Sequence, residues 1–204
     1  MPDPISWSQD LPYFAVGFLI AYLIGSIPFG LLLTRFSGAG DIREIGSGSI
    51  GATNVLRTGR KGLAAATTLL DGGKGFVAVW VAAAYAGPDL AVILAWGSVL
   101  GHLFPVWLKF KGGKGVATTL GALFGFAPLL GVYACLTWLL VAFAMRYSSV
   151  SGLLAVALAP VYAWYMELFQ IAEASILLAV FVWARHHANI RRLLKGEEPK
   201  IGAK

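Results

Sequence analysis

The sequence predicts an all-α integral membrane protein with seven transmembrane helices, two of them short. It places the N-terminus outside, the C-terminus inside and glycine-rich loops in the cytoplasm. Three observations carry that expectation. Of 204 residues, 58% are hydrophobic and only 13% charged, too little polar surface to clothe a soluble domain. Apolar stretches near span length alternate with short polar segments. Lys and Arg collect on one set of connections, and acidic residues on the other. A single polytopic membrane domain over 1–204 is the expected organisation.

The opening MPDPISWSQD is acidic and lacks Lys and Arg, unlike a secretory signal. The apolar run behind it, 11–34, is long enough to cross about 30 Å of hydrocarbon. A polar, glycine-rich segment occupies 35–62. Residues 63–86 form the second span, interrupted by Asp71 and Lys74, and Gly87-Pro88-Asp89 marks a turn. The third span is 90–108, followed by the lysine- and glycine-rich KFKGGKG at 109–115. Residues 116–145 are apolar but broken by Gly125 and Pro128. RYSSVSG punctuates at 146–152, a span follows at 153–166, and the last covers 171–184 before running into a basic tail.

Charge sets the topology. Lys and Arg fall at 35–61, 109–114, 146 and 185–204, with Lys74 apart, whereas the other connections carry Asp3, Asp10, Asp89, Glu167 and Glu173. Basic segments belong inside. Lys114 and Arg146 are then both inside, so the chain between them crosses an even number of times. Two crossings in that stretch give helices of only about 22 Å each, turning near Gly125–Pro128. One long tilted helix at 116–145, for six spans, is the alternative, and it violates the charge rule.

The net charge of +6 raises the possibility of nucleic acid, but these charges border membrane spans, where orientation and anionic ligands explain them. The lone Cys135 excludes an internal disulfide and a multi-thiolate metal site.

Three inner-face segments carry chemistry. In DIREIGSGSIGATNVLR, 41–57, Gly46, Gly48 and Gly51 spell G-x-G-x-x-G, but no strand of a βαβ unit precedes them, so no dinucleotide fold follows. Such glycines still let backbone N–H groups turn inward as an anion nest. Ser47, Ser49, Thr53 and Asn54 add neutral donors, and Arg57 a planar fork suited to phosphate. A solvated linker is the other reading. In KFKGGKG, Lys109, Lys111 and Lys114 alternate with Gly112, Gly113 and Gly115, poor helix formers where the next helix should start. This favours a phosphate-binding loop over mere topology marking. In RHHANIRRLL, 185–194, helical spacing puts Arg185, Asn189 and Arg192 on one face, with His186 and Asn189 as neighbours. The adjacent His186 and His187 point about 100° apart on a helix and have no carboxylate or thiol cluster beside them, so no metal site is expected. His102 reads as a structural histidine. Asp71 and Lys74, at i, i+3, form either a structural ion pair or a support for the site.

Together these segments resemble the bacterial acyl-phosphate:glycerol-3-phosphate acyltransferases, small inner-membrane enzymes. The likeness runs nearly end to end. It rests on GSIPFG at 25–30, IGSGSIGATNVLR at 45–57, LDGGKG at 70–75, GHLFPVWLKFKGGKGVAT at 101–118 and RHHANIRRLLKGEE at 185–198. One departure is Ser49, where the family usually has Asn, so that position is not assigned a substrate contact. The resemblance implies transfer of a fatty acyl group from acyl phosphate to the 1-hydroxyl of glycerol 3-phosphate. The products are lysophosphatidic acid and inorganic phosphate, in the first acylation of phospholipid synthesis, with no cofactor and no metal. The implied partners are the two substrates and membrane lipid.

An acyl phosphate is a mixed anhydride with a good leaving group, needing positioning and charge stabilisation more than a protein nucleophile. The chain also lacks the H-x-x-x-x-D acid–base signature of other glycerolipid acyltransferases. Lys114 and the N–H groups of residues 112–115 are expected to hold one phosphate, that of the donor. Ser47, Asn54 and Arg57 would line the site, Arg57 gripping phosphate and Asn54 orienting a substrate oxygen. By resemblance, His186 and Asn189 complete the glycerol phosphate site, with Gly46, Gly48, Thr53, Lys111 and Arg185 as further contacts. A substrate phosphate is preferred over His186 as proton acceptor, because a cationic setting disfavours imidazolium. A phosphate or organophosphate transporter is the alternative function. A transporter, however, binds substrate near the midplane between repeats, and these polar residues crowd one face.

Overall fold

Prolines set several helix boundaries in the computed structural model, which describes residues 2–4 and 6–202. All regular elements among those residues are helical. Helix α1 (Trp7–Gly25) and α2 (Phe29–Phe36) flank a break at Ser26–Pro28. The expected continuous first span, 11–34, is therefore interrupted, because Pro28 has no N–H and restricts the residue before it. After a 3₁₀ turn (Ile42–Glu44) and the short α3 (Ala52–Leu56) comes α4 (Lys61–Tyr85). Pro88 opens α5 (Pro88–Leu103) at the first helical position, where its missing N–H is not needed. The third span stops at Leu103, short of the expected 108, because Phe104 precedes Pro105; Val106–Leu108 form only a 3₁₀ turn.

Residues 116–145 divide at Ala127 into α6 (Val116–Phe126) and α7 (Pro128–Met145). The division is unequal, with 11 and 18 residues. Helix α8 (Ser148–Tyr165) begins inside the segment read as punctuation; its Ser151 hydroxyl donates to the Tyr147 carbonyl at 2.8 Å. Helix α9 (Phe169–Arg185) ends in a kink at His186, and α10 (His187–Leu194) follows. That kink interrupts the single helical face expected for Arg185, Asn189 and Arg192.

Among the described residues, four helical segments are long and apolar enough to cross a bilayer: Trp7–Phe36, Pro88–Leu108, Pro128–Met145 and Ser148–Tyr165. Leu69, Leu140 and Phe143 point away from the core, as lipid-facing side chains do. Packing is chiefly pairwise, α1 on α5, α4 on α6, α7 on α8 and α8 on α9. Lipid tails are as apolar as leucine, so close backbone approach has to replace the hydrophobic effect as the force joining helices. The α4–α6 contact shows how: a Cβ on Gly121 would overlap the Gly72 carbonyl, and one on Gly75 the Thr118 carbonyl.

The charges within α4 serve the break in the first span. Lys74 Nζ donates to the carbonyls of Gly25 at 2.6 Å and Ile27 at 2.9 Å, the groups the break leaves without helical partners. Asp71, 3.2 Å from the same ammonium, balances its charge. The pair is thus structural, and its two charged ends are both buried. The tetrapeptide GGKG accordingly has two conformations in one chain, helix interior at 72–75 and open loop at 112–115.

Candidate active site

The first segment is knotted by Asn54. Its amide nitrogen donates to the carbonyls of Ile42 and Ile45, each at 2.9 Å, and of Ser49 at 2.8 Å. Its amide oxygen accepts from the Ser47 N–H at 3.1 Å and Arg57 Nη1 at 3.2 Å. Asn54 is buried, and its polar atoms are occupied within the loop, so it shapes the site; the expected contact to a substrate oxygen does not fit this geometry. Gly46 takes φ of +55°, and a Cβ there would press on Arg57 Nη1 at 2.5 Å. Gly48, with φ of +68°, completes the turn. Ser47 and Arg57 are both exposed. Thr53 bonds Ser148 at the start of α8, at 2.9 Å. Asp41 caps the 3₁₀ turn and pairs with Arg43 and Arg35; the Arg43 bond in particular holds its carboxyl well below the usual range. Underneath, Ile42, Ile50 and Val55 form a core with Leu31 and Ala64, and Leu108 from the second segment packs on it.

In the second segment the glycines serve close packing. A Cβ on Gly112 would overlap the His102 carbonyl, and one on Gly113 the His102 ring. The Gly112 N–H donates to Leu103 O at 3.2 Å and that of Gly113 to His102 O at 3.0 Å. This corrects the expectation that N–H groups throughout 112–115 face an anion: those of Gly112 and Gly113 point into the end of α5. Their carbonyls face Arg185, whose guanidinium lies 3.4 Å from Gly112 O and 3.5 Å from Gly113 O and stacks 5.1 Å above the Phe104 ring. The loop is clamped between α5 and α9. Gly115, with φ of +81°, then turns the chain into α6 and leaves Lys114 at the helix head.

The third segment comes from both sides of the α9–α10 kink. His186 is buried, and its Nδ1 lies 2.7 Å from the Val182 carbonyl. A carbonyl only accepts, so Nδ1 carries the proton and Nε2 is the free acceptor. Burial pushes this imidazole down to about 4; the Val182 bond opposes that, and Lys114 adds to it, so His186 is neutral at pH 7. Asn189 donates to Glu198 at 2.6 Å, and Arg192 Nε donates to the same carboxylate at 2.7 Å. Burial disfavours the Glu198 charge, but the bonds from Asn189 and Arg192 win and keep its carboxyl low. Beyond it, Ile201 and Arg146 exchange backbone and side-chain bonds, strapping the tail across the start of α8.

These segments meet. Burial brings Lys114 down to about 8; Glu198 opposes the shift, while Arg192, Arg57 and Arg185 reinforce it. One ammonium thus feels the charges of all three segments. Arg57, Lys114, Arg185, His186 and Asn189 share one cationic cluster, with Ser47, Gly46, Gly48 and Thr53 on its first-segment side; Lys111, exposed, is not among the charges that Lys114 feels. Sequence reasoning assigned no role to Glu198. The signal was present as a lone pair of acids, Glu197 and Glu198, in an otherwise basic tail. Nothing in the spacing said which segment they would meet.

Fold and site define a class: an all-helical integral membrane protein with a cluster of cationic side chains gathered from three separate segments. The chain matches the family model described as glycerol-3-phosphate acyltransferase over residues 15–196, and it belongs to that family. A glycerol-3-phosphate acyltransferase of Rhodospirillum rubrum is 57% identical over 194 residues, covering 91% of this chain and 90% of that one. Glycerol-3-phosphate acyltransferase 1 of Rhizobium johnstonii is 50% identical over 200 residues, 98% of this chain and 97% of that one. Among solved structures, the crystal structure of PlsY (YgiH), an integral membrane glycerol 3-phosphate acyltransferase, in its glycerol 3-phosphate form superposes with a TM-score of 0.88 at 35% identity. It covers 93% of this chain and 96% of that one. Its lysophosphatidic acid form gives 0.87 at 34%, with the same coverage.

Proposed function

We propose that this protein transfers a fatty acyl group from acyl phosphate to the 1-hydroxyl of glycerol 3-phosphate, at the inner face of the bacterial inner membrane. The hydroxyl oxygen attacks the acyl carbon, the bond from that carbon to the phosphate oxygen breaks, and the hydroxyl proton ends on phosphate. Lysophosphatidic acid and inorganic phosphate leave. The observation that carries this reading is the convergence of Arg57, Arg185 and Arg192 on Lys114, a charge density that two phosphate-bearing substrates would neutralise. The related PlsY structures, in glycerol 3-phosphate and lysophosphatidic acid forms, support the acceptor and the product.

Lys114 and the N–H groups of Lys114 and Gly115 hold the donor phosphate, where they also stabilise charge on the leaving group. Arg57, steadied by Asn54, grips phosphate from the opposite side, and Ser47 with the 46–48 turn adds neutral donors. His186 Nε2 and Asn189 receive the glycerol moiety. A neutral imidazole held near 4 is a weak base at pH 7, so it orients the hydroxyl while a substrate phosphate takes the proton. Seven spans in one domain, N-terminus out and C-terminus in, put this cluster in the cytoplasm. Purified protein given palmitoyl phosphate and glycerol 3-phosphate should release phosphate and lysophosphatidic acid in equal amounts. Uptake of glycerol 3-phosphate into sealed vesicles without acylated product would overturn the assignment.

A further inference from the structure

Lys109 and Phe110 are consecutive residues in the left-handed region, with φ of +51° and +61°. No other adjacent pair of non-glycine residues among those described does this. Glycine fills such positions without strain, and the same loop uses glycine freely at 112, 113 and 115. A phenylalanine that is strained yet packed in a core would need no further account. Phe110 is not packed: it is 58% exposed, and Trp107 beside it is 60% exposed. Their neighbour Leu108 turns the other way, onto the core beneath the first segment. The turn is pinned by the Phe110 N–H to Pro105 O and the Lys111 N–H to Leu108 O, both at 3.0 Å, so the two rings are held outward by the backbone. Exposed Lys109 and Lys111 flank Phe110 in the chain, and Lys114 follows within the same loop.

Two large apolar surfaces beside cations, leading to a phosphate site, match an amphiphile with an anionic head and a hydrocarbon tail. We propose that Trp107 and Phe110 form the docking edge for the acyl chain of the donor, guiding its phosphate toward Lys114. The inference rests on the acyl-phosphate reading above and extends it to how the donor is told from a soluble acyl phosphate. The strained conformation sits beside the site whose ligand it presents.

The test compares kcat/KM for palmitoyl phosphate and for butanoyl phosphate, with purified protein in one detergent and glycerol 3-phosphate saturating. Trp107→Ala and Phe110→Gly should each lower the palmitoyl-to-butanoyl ratio about tenfold. Phe110→Gly removes the ring and the backbone strain together, so a loss there is not loop distortion. Phe110→Leu, which restores apolar surface, should recover most of the ratio. A ratio unchanged in both variants overturns the proposal. So does an equal fall for the two donors, the outcome expected of aromatics that only anchor the loop to the bilayer. A wild-type protein that turns over neither donor would instead remove the acyl-phosphate reading itself.

Discussion

Lys114 is a cation only while its surroundings allow it. Burial, reinforced by Arg192, Arg57 and Arg185, holds its ammonium to about 8, against an ordinary lysine value of about 10.4. A group with a lowered value is charged below it and neutral above, so phosphate binding should weaken as pH rises through about 8. The profile of kcat/KM against pH is expected to show an alkaline limb there, and Lys114→Met should lack both the limb and most of the activity. An alkaline limb that persists in Lys114→Met would mean that Lys114 does not carry binding. His186 makes the complementary case. It is neutral above about 4, whereas substrate phosphates take up their second proton near about 6. His186→Gln should therefore lower kcat/KM by no more than about tenfold and leave the acid limb in place, since general bases typically contribute about 10²–10⁴. A loss in that larger range, with the acid limb gone, would make His186 the obligatory base. Neither value was legible in the sequence, which shows residue types but not how far each is removed from water.

At the scale of elements, one tetrapeptide makes the argument. GGKG at 72–75 lies in a helix where Gly73 meets nothing within 4 Å, whereas in the copy at 112–115 Gly112 and Gly113 press against His102. Gly73→Ala should raise helix propensity and shift stability by about 0.5–1 kcal/mol in the favourable direction. Gly112→Ala, where the new methyl would overlap the His102 carbonyl, should displace the loop and lower kcat/KM well over tenfold while the helices persist. Thermal unfolding in detergent and steady-state assays separate the two effects. The contrast shows what sequence reading reaches. The apolar helical stretches, the two-helix division of 116–145 and the three cationic segments follow from local rules that the chain states openly, whereas the breaks at Pro28 and before Pro105 lie inside runs whose hydrophobicity hides them. The use of the glycines is hidden too: a glycine needed for an anion nest and one needed for close packing are the same letter, and only the partner, here the end of α5, distinguishes them. Asn54 differs from expectation for the same reason: its amide closes the loop rather than orienting a substrate oxygen, and the carbonyls it binds are found only once the loop is folded.

The whole molecule explains why a soluble-looking cluster belongs to a membrane enzyme. Helix α7 rises about 27 Å and α6 only about 16 Å at 1.5 Å per residue, although they share a turn at Ala127. Starting from that common end, α6 stops about 10 Å short of the level α7 reaches at Arg146. Its head carries Lys114, which therefore lies recessed below that level; under the proposed function this brings the ammonium near the depth at which the head of a membrane-borne acyl chain sits. The proposed topology puts Arg146 in the cytoplasm, as the charge rule expects of the basic connections. Cysteines placed singly in a Cys135→Ser background test it, because that change removes the only natural thiol. At Tyr85 and Tyr165, exposed at the acidic ends of α4 and α8, an impermeant maleimide should label intact cells. At Lys61 and Lys195, exposed at the basic ends, labelling should appear only after permeabilisation. The reverse pattern would put Lys114 on the wrong side of the membrane for cytoplasmic glycerol 3-phosphate. Mixed labelling of Lys61 and Lys195 would break the even parity between them and with it the recessed site.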